Sequence, residues 1–176
     1  PVHNFEYFVA LAKKIEELGC DSLAIKDMAG LLTPNVTKEL VESLVKNTSL
    51  PIHMHCHATS GLASLNLVSA VEAGATIIDT CNSSYSEGAS HPTTESMIVA
   101  LEDMGYQTDI DLSKMDEITD YLKENRKKYW QFESKFTGLD PKVLINQVPG
   151  GMISNLSNQL KDQGALDKMA EVLKEI

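Results

Sequence analysis

Cysteine, positive charge and long apolar runs are all scarce in this 176-residue chain. No hydrophobic stretch approaches the roughly 20 residues that cross a bilayer, and the first residues lack a secretory signal pattern. The cysteines are only Cys20, Cys56 and Cys81, an odd and irregularly spaced set. That argues against a disulfide framework and suits a reducing, cytoplasmic setting. Fifteen Lys and Arg against twenty-five Asp and Glu leave a formal net charge of −10. A nucleic-acid partner needs a concentrated basic surface, and none is visible. The one basic cluster, "KENRKKYW", sits in a helical pattern interrupted by acidic residues and reads as a solvated face. The chain opens on Pro1 and runs almost at once into a helical pattern, so it reads as a piece of something longer.

What is present is a βα rhythm over residues 1–105. "FEYFVALAKKIEELG" has helical apolar spacing and ends on Gly19, a favoured stop. "DSLAIKD" reads as a buried strand, and Thr33-Pro34 opens the helix "NVTKELVESLVKN". "LPIHMHCH" is a second strand, "GLASLNLVSAVEAG" a helix, "ATIIDTC" a third strand, and "TTESMIVALEDMG" a further helix. Short strands alternating with helices imply an α/β fold of parallel βαβ units. From residue 106 to 176 the rhythm changes. "LSKMDEITDYLKENRKKYWQFESKF" reads as one long amphipathic helix, followed by a turn-rich linker and two short helices.

Chemistry concentrates in "LPIHMHCHATSGLA". Alternation along a strand sends His53, His55 and His57 to one face and Met54 and Cys56 to the other. Neighbouring imidazoles on one strand face can share a metal; a set of polar core residues satisfied by neighbours is the other reading. In parallel α/β folds, sites lie at the carboxyl ends of strands. That favours His55 and His57 as ligands and leaves His53 one layer deeper. In "AIKDMAG", Lys26 ends the preceding strand and is expensive to bury with its charge. It is either paired with Asp27 or neutralised and used, as a base or as an anionic carbamate completing a metal site. Asp79 ends the third strand, either orienting a ligand histidine or capping the strand. His91, in "GASHPTT", reads as a loop histidine.

"IKDMAGLLTP", "PIHMHCHATSG" and "QVPGGMISNLSNQL" together resemble the carboxyltransferase domain of biotin-dependent enzymes. That group includes the oxaloacetate decarboxylase α subunit, the corresponding subunit of two-subunit pyruvate carboxylase, and the transcarboxylase carboxyltransferase subunit. The resemblance implies the last three βα units of a TIM barrel, followed by an all-helical funnel that forms the biotin-binding mouth. It implies Lys26 as a carbamate, with His55 and His57, holding a divalent metal: zinc, cobalt or manganese. It further implies Ser154 as a proton relay, with Gly150 and Gly151 beside the biotin ring and Asp27 and Asp79 behind the ligands. The partners implied are pyruvate or oxaloacetate, a biotin carrier domain or subunit, further copies of the chain, and membrane sodium-pump subunits in the decarboxylase branch. Those subunits imply a peripheral place at the inner membrane. The family's ligand aspartate and pyruvate-gripping residues belong to strands upstream of these, and the chain by itself is expected to be inactive. A lyase of the same superfamily, cleaving hydroxymethylglutaryl thioesters, also uses a His-x-His pair. It leaves Lys26 and the "PGGMISN" loop unexplained.

Overall fold

The computed structural model describes residues 3–133 and 138–175. Strands β1 (Leu23–Asp27), β2 (Ile52–Cys56) and β3 (Ile77–Ile78) pair in parallel in the order β1-β2-β3. The helix α1 (Phe5–Glu17) starts where the Asn4 side chain accepts the Tyr7 N–H at 3.0 Å, and the chain reverses at Gly19. Helix α2 (Pro34–Asn47) opens on Thr33 with proline in its first turn, as the sequence predicts. Helices α3 (Ala63–Glu72) and α4 (Thr94–Asp103) complete the βα rhythm.

The sheet has two unlike faces. Ile52, Met54 and Cys56 point one way and are essentially inaccessible, packed with Leu40, Val41, Leu44, Ala63, Leu67 and Ala70 of the helices. Burying side chains such as Ile52 and Met54 stabilises the fold by about 1.5–3 kcal/mol each. The histidines between them stay half-buried on the opposite face. The alternation read from the sequence is the alternation observed. The third strand is shorter than its apolar run, "ATIIDTC", predicts. Only His53↔Ile77 and Met54↔Ile78 pair. Beyond Ile78 the backbone keeps one bond, Asp79 N–H to the Met54 carbonyl (3.0 Å), then leaves the sheet to bridge Cys81 with Thr93.

After Gly105 the described chain is helical. Helix α5 (Leu112–Arg126) continues as a 3₁₀ turn over Lys127–Phe132, where the sequence predicts one unbroken helix. Residues 134–136 of that expectation lie outside the described residues. The tightening coincides with an anchor: Arg126 donates to the Ser84 carbonyl and to Glu133, both at 2.6 Å. Buried Thr119 holds α5 to the loop after β3, accepting from Asn82 (2.7 Å) and donating to Glu95 (3.1 Å). Partial burial works against the Glu95 charge, yet hydrogen bonds from Ser83 and Thr119 outweigh it and keep the carboxyl below its ordinary range. Short α6 (Val143–Asn146) follows, and α7 (Gly150–Asp162) and α8 (Met169–Glu175) form a second small core. Val148, Ile153 and Met169 pack there with Leu156, Leu160 and Leu173.

Gly150 joins the two parts. A Cβ there would stand 2.6 Å from Thr59 Oγ1 and 3.2 Å from the Ala89 Cβ. Thr59 cannot easily yield, because its hydroxyl donates to the Gly88 carbonyl at 3.1 Å. Helix propensity alone makes alanine favourable over glycine by up to about 1 kcal/mol, so the clash decides the sign. We expect Gly150→Ala to destabilise the docked helices by about 1–3 kcal/mol. Hydrogen exchange should then quicken in α7 while β2 amides are unchanged; unchanged α7 exchange would contradict this.

Burial, and then the neighbouring Asp27 charge, push the Cys56 thiol up to about 12. An unfolded thiol ionises near about pH 8.5, so stability should fall as pH rises between those two values. Native Cys56 should resist alkylation that modifies exposed Cys20 quickly, as read by mass-mapped labelling.

Candidate metal centre

Parallel register sets Lys26 directly beside His55, and Ala24 beside His53, on the face away from the helices. Lys26 is exposed there, and no ion pair holds it among the described residues. Asp79 comes from β3 to the other side of His55. Its Oδ2 lies 2.6 Å from His55 Nδ1, and its Oδ1 lies 2.9 Å from His53 Nε2. The first contact is a hydrogen bond; the second is near enough for charge attraction but is not aligned as one. Partial burial works against the Asp79 charge, but its contacts with His55 and His53 outweigh that and hold the carboxyl below its ordinary range. Asp79 therefore accepts, and His55 Nδ1 carries the proton.

His57 and His91 are tied in the same sense. His57 Nδ1 donates to the Ala89 carbonyl at 2.7 Å, and His91 Nδ1 donates to the Cys56 carbonyl at 3.0 Å. A carbonyl can only accept, so both Nδ1 atoms carry hydrogen. In the neutral rings all three Nε2 atoms then hold lone pairs. Those of His55 and His57 face each other at 3.2 Å. Two imidazole nitrogens on one tetrahedral zinc at about 2.0–2.1 Å stand about 3.3 Å apart. The His91 ring is 4.3 Å from His55 and 4.5 Å from His57 between centroids. The three offer ligand nitrogens all within 4.8 Å of one another. Converging lone pairs repel unless a cation lies among them, and carbonyl or carboxylate partners on the far nitrogens are the usual support of metal-binding imidazoles. The donor set fits a divalent cation. Burial, first of all, holds His91 below the ordinary histidine value.

The expectation for Asp27 is corrected. It points to the helix side, 9% exposed, and accepts the N–H groups of Leu31 (3.0 Å) and Leu32 (2.9 Å). One residue from Lys26 along a strand means the opposite face, so it neither pairs with Lys26 nor backs the histidines. It shapes the loop after β1 instead, and its own carbonyl accepts the His57 N–H at 3.0 Å. Gly30 completes that loop at φ +67°, where a Cβ would stand 2.6 Å from the His57 carbonyl. Gly150 packs on Thr59 and Ala89, beside the His57 acceptor. Ser154 is half-buried one turn further along the same helix face, and Gly151 is exposed. His91 is the residue that sequence reasoning set aside. Its neighbourhood depends on a loop closure, with Ala58 N–H donating to the Ser90 carbonyl (2.8 Å), that strand alternation does not encode.

Residues 3–122 match the HMGL-like family, and residues 143–176 match the conserved carboxylase domain. The chain is 52% identical over its whole length to a pyruvate carboxylase subunit of Methanocaldococcus jannaschii, covering 31% of that protein. It is 43% identical to the methylmalonyl-CoA carboxyltransferase 5S subunit of Propionibacterium freudenreichii subsp. shermanii, covering all of this chain and 35% of that one. The chain thus spans about a third of the length of these relatives. The carboxyl transferase domain of Rhizobium etli pyruvate carboxylase superposes with a TM-score of 0.91 at 34% identity, over 98% of this chain and 29% of that one. A structure of that domain with pyruvate and biocytin superposes equally well. The chain belongs to the HMGL-like family, and its homologues include a pyruvate carboxylase subunit and the transcarboxylase carboxyltransferase.

Proposed function

We propose that this chain carries part of the centre of a biotin-dependent, metal-dependent carboxyltransferase acting between oxaloacetate or pyruvate and biotin. The observation that carries the proposal is the convergence of His55 and His57 Nε2 at the carboxyl end of β2, beside Lys26. We assign the sheet as the last three strands of a TIM barrel, with residues 1–105 in the barrel and 106–176 in a helical funnel. The parallel order and the likeness to the Rhizobium etli domain support that assignment. Ala58, in "HATSG", supports the decarboxylase and transcarboxylase branch, of which we take the oxaloacetate decarboxylase α-subunit type. Partner subunits, including a membrane sodium pump, would then set the direction of transfer. Among the described residues no helix is long and apolar enough to cross a membrane.

His55 and His57 would hold the metal, with Asp79 and the Ala89 carbonyl fixing both rings. Lys26, exposed beside His55, is placed to react with carbon dioxide, losing a proton to become an anionic carbamate ligand. Zinc, cobalt or manganese there would supply Lewis-acid stabilisation of the enolate charge on pyruvate. The Ser154 hydroxyl would pass a proton between the biotin ureido nitrogen and the pyruvate methyl carbon. Gly151 would let the loop approach the biotin ring without a side chain in the way, and Gly150 would support it by seating the loop against Thr59 and Ala89. The HMGL-like match also admits a thioester lyase as a family relation. The carboxylase-domain match over 143–176, which contains the "PGGMISN" loop, favours carboxyl transfer.

The test uses the full-length gene product with its biotin carrier. Lys26→Ala and His55→Ala should each weaken metal binding at least about 10²-fold and abolish biotin-dependent carboxyl exchange. Ser154→Ala should slow exchange by about 10²-fold or more while metal content is retained. Full exchange activity in both Lys26→Ala and His55→Ala would overturn the assignment. Thioester cleavage without biotin would point to the lyase.

A further inference from the structure

We propose that Thr59 is a positioning residue of this centre, tying the main chain that orients His57 to the helical part that carries Ser154. The inference rests on the carboxyltransferase reading and adds a residue to it. Residues 57–59 bind successive carbonyls of the loop between β3 and α4. His57 Nδ1 donates to the Ala89 carbonyl at 2.7 Å, the Ala58 N–H to Ser90 at 2.8 Å, and the Thr59 hydroxyl to Gly88 at 3.1 Å. Behind them the loop closes on itself. Glu87 and Gly88 turn at φ 66° and 56°, and the Glu87 N–H donates to the His91 carbonyl at 2.8 Å. A closed loop moves as a unit, so the bond to Gly88 bears on the next carbonyl, the one that takes the His57 proton.

Thr59 also faces the helical part. Its own carbonyl accepts the Asp140 N–H at 2.8 Å, just ahead of α6. Its side chain fills the space beside Gly150 at the start of α7, where a Cβ would stand 2.6 Å from Oγ1 and 3.0 Å from Cγ2. Threonine is branched at Cβ and stiff about χ1, so one rotamer sets the hydroxyl on Gly88 and the methyl against Gly150 together. The residue is 3% exposed, too little for water to replace the hydroxyl once it is removed.

The two branches of this side chain therefore have separate tasks. The hydroxyl secures the loop whose Ala89 carbonyl fixes the His57 ring, and with it the aim of Nε2. The methyl seats α7, whose first turn leads from Gly150 to Ser154. Losing the hydroxyl disturbs the metal side, and losing the methyl disturbs the Ser154 side.

The experiment measures zinc affinity of the full-length protein by competition against a chromophoric chelator, together with hydrogen exchange in α7. Thr59→Val fills both branches but has no hydroxyl. We expect it to lower zinc affinity by about 10-fold with α7 exchange unchanged, and to quicken solvent exchange of the His57 Nδ1 proton in the metal-free protein. Thr59→Ser keeps the hydroxyl and drops the methyl. It should hold zinc affinity within about twofold of the natural protein and quicken α7 exchange by about 3–10-fold. Natural zinc affinity in Thr59→Val overturns the inference and leaves the His55–His57 centre standing. So does a Thr59→Val protein that no longer folds, or a pair of variants that move both readouts alike, since each marks an ordinary structural residue. A natural protein that takes up no divalent metal overturns the inference and the metal centre together.

Discussion

Three Nδ1–H groups donated to acceptors that cannot donate in return decide the chemistry of this molecule. Asp79, the Ala89 carbonyl and the Cys56 carbonyl take the protons of His55, His57 and His91 at 2.6, 2.7 and 3.0 Å. Each bond is ordinary by itself. The first two leave the Nε2 lone pairs of His55 and His57 facing each other at 3.2 Å, where a cation, or a proton shared between the rings, relieves the repulsion. The rest of the fold serves to hold those acceptors in place. Two of them are main-chain carbonyls, so the site depends on backbone position as much as on side-chain identity.

The supporting devices are spread along the chain. A strand brings His55 and His57 side by side while its other face buries Met54 and Cys56 without exposure. Parallel pairing adds Lys26 from β1, and the backbone beyond β3 adds Asp79. Asp27 and Gly30 shape the loop that presses on the His57 backbone, and Gly150 brings α7 against Thr59 and Ala89. These last contacts couple the helical part to the acceptor that sets the His57 tautomer. Loosening at Gly150 should therefore be felt at the metal centre as well as in the second core.

Much of this was legible in the sequence. The period of two in "HMHCH" gave the face of each residue, and the order of strands and helices gave the parallel sheet. Thr33-Pro34 marked the start of α2, and the run of motifs pointed to the family that the matches show. What was not legible depends on closure across distance. His91 is separated from His57 in the chain by α3, β3 and a turn, and nothing in its own neighbours announces a ring set edge-on to one histidine and tilted against another. Asp27 was misread for a different reason: adjacency to Lys26 in sequence means opposition across a strand. The long helix after residue 112 tightens into a 3₁₀ turn where Arg126 binds the Ser84 carbonyl, a contact invisible to helical periodicity.

The central claim is a statement about protons, and protons can be observed directly. Nitrogen NMR of the metal-free protein with labelled histidine, at mildly alkaline pH, distinguishes the two neutral tautomers of each ring. The account predicts the Nδ1–H form for His55, His57 and His91 alike. Finding the Nε2–H form in His55 or His57 would contradict it, because the lone pairs would then face away from the site.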